Sequence, residues 1–154
     1  MRKLLIVVLF LICSLYAFSE EERMAVGLGL EWNMNSRHNF AAGAALGSYF
    51  NLTDKYALGL SFGVSSNFYD DLVLEPAAHF RYYFLENQYG RFFRQADAGA
   101  FLLYEDGYDI YPMVLLGLRG GLRRPLGSLF YIEPYARLGY PFVFGIGVMA
   151  GIRL

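Results

Sequence analysis

The chain has 154 residues, 56% of them hydrophobic, 18% aromatic and 18% charged, with 17 Gly, one Cys and a formal net charge of −1. Globular domains average about 25% charged residues, so charge is scarce here while glycine and aromatic rings are plentiful. That balance excludes a disordered tail, a coiled coil, a disulfide scaffold and a basic nucleic-acid binder, and the length fits one domain.

Residues 1–19 read as a secretory signal peptide. Arg2 and Lys3 are the positive start, Leu4 to Ile12 is unbroken and apolar, and Ala17-Phe18-Ser19 offers small residues to a signal peptidase. A membrane-spanning helix needs about 20 apolar residues, more than this run supplies. Cys13 follows Ile12 rather than the small residue of a lipoprotein cleavage site, which speaks against lipidation. Residues 20–154 remain, with no cysteine and with 11 basic against 14 acidic side chains, too even a balance to name a charged partner.

From residue 24 onward the apolar residues alternate with a period of two, the signature of strands. The even positions give eight runs: Met24–Trp32, Phe40–Phe50, Tyr56–Val64, Leu72–Phe84, Phe92–Tyr104, Val114–Leu122, Phe130–Tyr140 and Phe142–Leu154. Polar or glycine-containing breaks separate them, at 33–38, 51–55, 66–71, 86–90, 105–109, 124–127 and, most weakly, 139–141. The 135 residues allow about 17 per strand and connection, enough for a membrane-crossing strand of about 9–11 residues and a short turn. The predicted fold is all-β: an eight-stranded antiparallel up-and-down transmembrane barrel over 20–154.

The odd positions decide which face meets lipid. In the first three runs they are mostly Gly, Ala and Ser, unsuited to a solvated surface. In the later runs they are long and polar. Glu31, Glu75, His79, Arg81, Asp97, Arg119, Arg123, Glu133 and Arg137 are therefore predicted to form a charge network in the lumen. A small barrel must fill its interior, and buried charges must be paired. The even face then looks to lipid, with Arg94 as its one charge, near a turn where it can reach headgroups. Aromatics fall in two girdles: Phe50, Tyr56, Phe84, Phe92 and Phe130 on the side of the termini, and Trp32, Phe40, Tyr104, Tyr140 and Phe142 on the other.

Unbroken alternation, short turns and an Arg/Glu lumen resemble the small eight-stranded bacterial outer-membrane barrels: the OmpA transmembrane domain, OmpX and OmpW. The resemblance implies residence in the outer membrane of a diderm bacterium, with membrane lipid and the barrel-assembly machinery as partners. The final Gly151-Ile152-Arg153-Leu154 keeps the strand parity of that group but lacks its usual aromatic ending.

Catalytic signals are weak. Gly27-Leu28-Gly29 lacks the third glycine and the helix of a nucleotide site. Asn51-Leu52-Thr53 reads as turn chemistry. His79, with Glu75, Ser61 and Ser65 nearby in the alternation, could be drawn as a hydrolase site, but it points inward, away from any lipid substrate. Two histidines and no mature cysteine make a metal site unexpected, and no cofactor is expected. Glu75-Pro76 and Glu133-Pro134 repeat one pattern, which predicts bulges at the prolines and a Glu–Arg pair along each strand. The expected function is that of a non-enzymatic, structural or porin-like barrel of the cell envelope, with a plugged or narrow lumen passing small solutes slowly. Two alternatives stand beside it. One is uptake of small apolar molecules past Tyr111, Met113 and Leu115; the other is surface adhesion through Phe68, Tyr69 and Tyr108.

Overall fold

A computed structural model describes residues 23–35, 40–67, 71–105 and 109–154; the predicted signal peptide lies outside them. Eight strands follow in chain order: β1 (Met24–Asn35), β2 (Phe40–Asn51), β3 (Tyr56–Ser66), β4 (Leu72–Asn87), β5 (Gly90–Glu105), β6 (Asp109–Leu126), β7 (Phe130–Tyr140) and β8 (Phe142–Arg153). Each pairs antiparallel with its neighbour, and β8 pairs with β1, so the sheet closes and leaves no edge. The predicted eight-stranded barrel is the fold observed. One end carries Arg23, Leu154 and the turns after β2, β4 and β6; we call it the terminal end. The other is the loop end.

Several strands outrun their apolar alternation. Asn33–Asn35 extend β1, Arg124–Leu126 extend β6, and Glu105 pairs with Asp109 across the β5–β6 hairpin. Backbone hydrogen bonding continues where side chains turn polar, whereas alternation marks only the length with one apolar face. The terminal-end turns are tight. The Thr53 hydroxyl accepts from the Lys55 and Tyr56 amides, both at 3.2 Å, and the Asn87 side chain accepts from the Tyr89 amide at 2.9 Å. Gly90 has φ 137° and lies so close to the Arg123 carbonyl that a Cβ would collide with it; only glycine fits.

The predicted bulges at Pro76 and Pro134 are absent. Phe62 pairs with Pro76 and Pro134 with Val148 in unbroken register, each proline leaving only a gap in the ladder on its other side. Register shifts instead between Tyr83 and Leu85 on β4, and between Met34 and Asn35 where β1 meets β8. The second shift corrects one girdle assignment. Phe142, predicted to face outward, is buried and packs edge-on against Phe101 at 5.2 Å, while Val143 and Phe144 are exposed.

Elsewhere the even positions face outward. Leu28, Leu30, Leu60, Leu116, Leu118, Leu138 and Ile146 are exposed, and Glu31, Glu75, Asp97 and Glu133 are buried. This inverts the arrangement of a water-soluble barrel and suits a lipid solvent. The longer β6 also adds Arg124 to the outward charges, so Arg94 is not alone.

Candidate functional site

The lumen holds three layers. Nearest the terminal end, Glu133 of β7 accepts two hydrogen bonds from Arg81 of β4, at 2.7 and 2.8 Å, and one from Arg123 of β6 at 2.7 Å. The Arg81 and Glu133 side chains have no exposed surface. Arg81 also donates to Gln95 Oε1 through Nε (2.8 Å) and a terminal nitrogen (2.6 Å). Its guanidinium carbon lies 4.0 Å from the Tyr49 ring centre and 3.7 Å from that of Phe93. Arg123 lies 4.3 Å from the Tyr131 ring centre. Charge-assisted bonds and ring faces together replace the hydration these cations give up.

In the middle layer, Gln95 donates to Asp97 at 2.6 Å, and Asp97 accepts from Arg119 at 3.3 Å. Arg119 and Arg137 each donate to Glu31 at 3.1 Å, as Tyr135 does at 2.6 Å. Arg137 also donates to Glu75 at 2.8 Å. One continuous chain thus runs Arg123–Glu133–Arg81–Gln95–Asp97–Arg119–Glu31–Arg137–Glu75. Four carboxylates meet four guanidiniums, so the buried charges cancel. A void of about 10 Å³ remains among Glu31, Glu75, Asp97, Arg119 and Arg137, about the room of one water.

The pairing differs from the one read along the strands. Glu75 does not bond Arg81, and Glu133 does not bond Arg137; Glu75 takes Arg137 and Glu133 takes Arg81. β4 and β7 run in opposite directions, so the shared Glu-Pro pattern meets itself reversed across the lumen. His79 is buried beside the network without a hydrogen bond to either ring nitrogen. Its ring lies 4.7 Å from that of Tyr49 and fills the space a Cβ on Gly59 would need. The Ser65 hydroxyl is likewise unbonded, so no Ser–His–carboxylate relay forms. No group of three potential metal ligands occurs among the described residues. Arg153, at the end of β8, sits at the terminal end and donates to the Gly127 and Ser128 carbonyls at 2.6 and 2.8 Å.

The third layer, at the loop end, is apolar. Ala41, Val73, Phe101, Leu115 and Phe142 form one buried cluster with Met113 against it. Above it opens a cup of about 620 Å³ walled by Phe40, Leu103, Tyr111 and Tyr140, with Asn35, Asn67 and Asp71 at its margin. Phe68, Tyr69 and Tyr108, which the sequence offers for surface adhesion, lie outside the described residues. Outside the barrel, Phe50, Tyr56, Phe84 and Phe130 are exposed toward the terminal end, and Trp32, Phe40 and Tyr140 toward the loop end; Phe92 and Tyr104 are half-buried. Gln95, Tyr135, Tyr49 and Phe93 join the network without having been singled out. All four share the inward parity that marked the charges, but their roles depend on neighbours from other strands.

No protein-family model matches the chain, and no curated protein matches it by sequence. Solved structures do. Neisserial surface protein A superposes with a TM-score of 0.70 at 11% identity, covering 87% of this chain and 97% of the other. The N-terminal β-barrel domain of Pseudomonas aeruginosa OprF gives 0.61 at 16% identity, covering 84% and 97%. Ail, the attachment invasion locus protein of Yersinia pestis, gives 0.55 at 15% identity, covering 86% and 97%. The chain shares the fold of these small eight-stranded outer-membrane barrels.

Proposed function

We propose that this chain is a non-enzymatic integral barrel of a bacterial outer membrane, with its termini in the periplasm and its lumen closed by ion pairs. The observation that carries the reading is the Arg81–Glu133–Arg123 cluster, deep in the lumen and shut off from solvent. The apolar exterior and two aromatic bands support a lipid surrounding, and the unbonded His79 and Ser65 offer no nucleophile. Its role is then structural, with solute passage limited to brief rearrangements of the network.

The loop-end cup favours a second reading, entry of small apolar molecules. The two readings part at the ion-paired layer, because a route wide enough for such a molecule also passes hydrated ions. Reconstitution into planar bilayers is expected to give no long-lived open level. A stable, reproducible conductance would overturn the closed lumen and leave the uptake reading standing.

A further inference from the structure

Charge is unevenly shared between the two ends. Among the described residues, Arg23, Lys55, Arg91, Arg94, Arg124 and Arg153 sit at or near the terminal end against two acids, Asp54 and Glu86. Among the described residues, the loop end carries Asp71 and no base. Some of these bases are engaged: Arg91 pairs with Glu86 at 3.4 Å and bonds the Asp54 carbonyl. Arg94 and Arg124 differ. Both are exposed on the outer wall, on adjacent strands, and among the described residues neither has an acidic partner. Arg94 lies over the Phe84 ring at 5.0 Å and opposite Gly120 of β6. Arg124 is four residues further along β6, so the two arginines bracket roughly 13 Å of wall.

Beside Arg94 the wall is apolar. Two residues along β5, Ala96 and Ala98 line part of a shallow apolar belt of about 1170 Å³ that runs along the wall from β1 to β7, with Ala78, Phe80, Leu118 and Leu138 beside them. Its lining is almost wholly apolar, and a Cβ on Gly120 would meet only the Phe93 carbonyl oxygen, in an ordinary 3.8 Å contact. An apolar wall that carries two guanidiniums without acidic partners nearer the terminal end complements a molecule with one anionic head and an apolar tail.

We propose that this surface holds an anionic phospholipid of the periplasmic leaflet, with its phosphate between Arg94 and Arg124 and an acyl chain along Ala96 and Ala98. The proposal rests on the membrane orientation given above. A guanidinium and a phosphate match in charge and donor geometry, and the partly lipid-shielded site strengthens the attraction.

The test uses the folded barrel in nanodiscs of equal phosphatidylglycerol and phosphatidylcholine, released into native mass spectrometry. Phosphatidylglycerol is expected to dominate the retained lipid, by roughly fivefold for each arginine engaged. The R94Q/R124Q double variant should lose that preference. Ala98→Phe, which fills part of the belt, should reduce retention of both lipids. Millimolar inorganic phosphate should not displace the bound lipid. Equal retention of both lipids, an unchanged double variant, full retention in the Ala98→Phe barrel, or displacement by phosphate would each overturn the site. The change in gel mobility on heating reports folding: a barrel that never inserts refutes the membrane orientation, whereas an inserted barrel without lipid preference refutes only this site.

Discussion

Replacing Glu133 with Gln is expected to lower the stability of the barrel in lipid vesicles by about 3–5 kcal/mol, the cost of leaving buried partners of a broken ion pair uncompensated. Glu133 is fully buried and accepts from two arginines, so its loss strands both Arg81 and Arg123. Gln keeps the shape but offers one acceptor oxygen and no charge, and its amide would face a guanidinium donor with a donor. Arg123→Met should cost less, because Glu133 then keeps its two bonds from Arg81. Urea titration in vesicles, followed by the fluorescence of the single tryptophan, measures both. Equal losses for the two variants, or a loss near zero for Glu133→Gln, would show that the cluster is not held by this carboxylate.

The outer wall gives the second large effect. Leu118 lies near the middle of β6 and is 65% exposed; Phe130 is 55% exposed at the start of β7, beside the terminal-end turn. Arginine at Leu118 is expected to cost about 2–4 kcal/mol, and arginine at Phe130 about 0–1, because a lipid-facing charge is most expensive at mid-bilayer. The gradient is what matters. If the exterior met water, both substitutions would replace an exposed apolar ring or branch with a soluble side chain. Both would then be neutral or favourable, and their positions would not matter. The same urea titration in vesicles reads the difference.

The period of two carried the fold, because one face of every strand meets a single kind of surroundings and side chains alternate without regard to neighbours. Parity also marked the inward charges, Glu31 through Arg137. Their partners were not legible. Two residues on one strand face, such as Glu133 and Arg137, stand roughly 13 Å apart, too far for direct bonding, whereas the opposite wall brings Arg81 within reach. Which wall faces which depends on strand direction and stagger, properties of the closed sheet rather than of any one segment. Phe142 shows the other limit. It opens an apolar triplet, Phe142-Val143-Phe144, in which alternation gives no signal, so the register shift that turns its ring inward left no trace in composition. The loop-end cup was visible only in part, through Tyr111, Met113 and Leu115, because Phe101, Val73 and Phe142 arrive there from three other strands.

Trp32 is a native reporter of the barrel's orientation. It is the single tryptophan, exposed on the outer wall toward the loop end and packed edge-on against Phe40 at 6.3 Å. In folded protein reconstituted into vesicles, phospholipids brominated along the acyl chain should quench its emission, most strongly with bromine near the headgroup, and aqueous iodide should quench it little. Full quenching by iodide with none by brominated lipid would place this wall in water and contradict a barrel with its apolar face turned to the membrane.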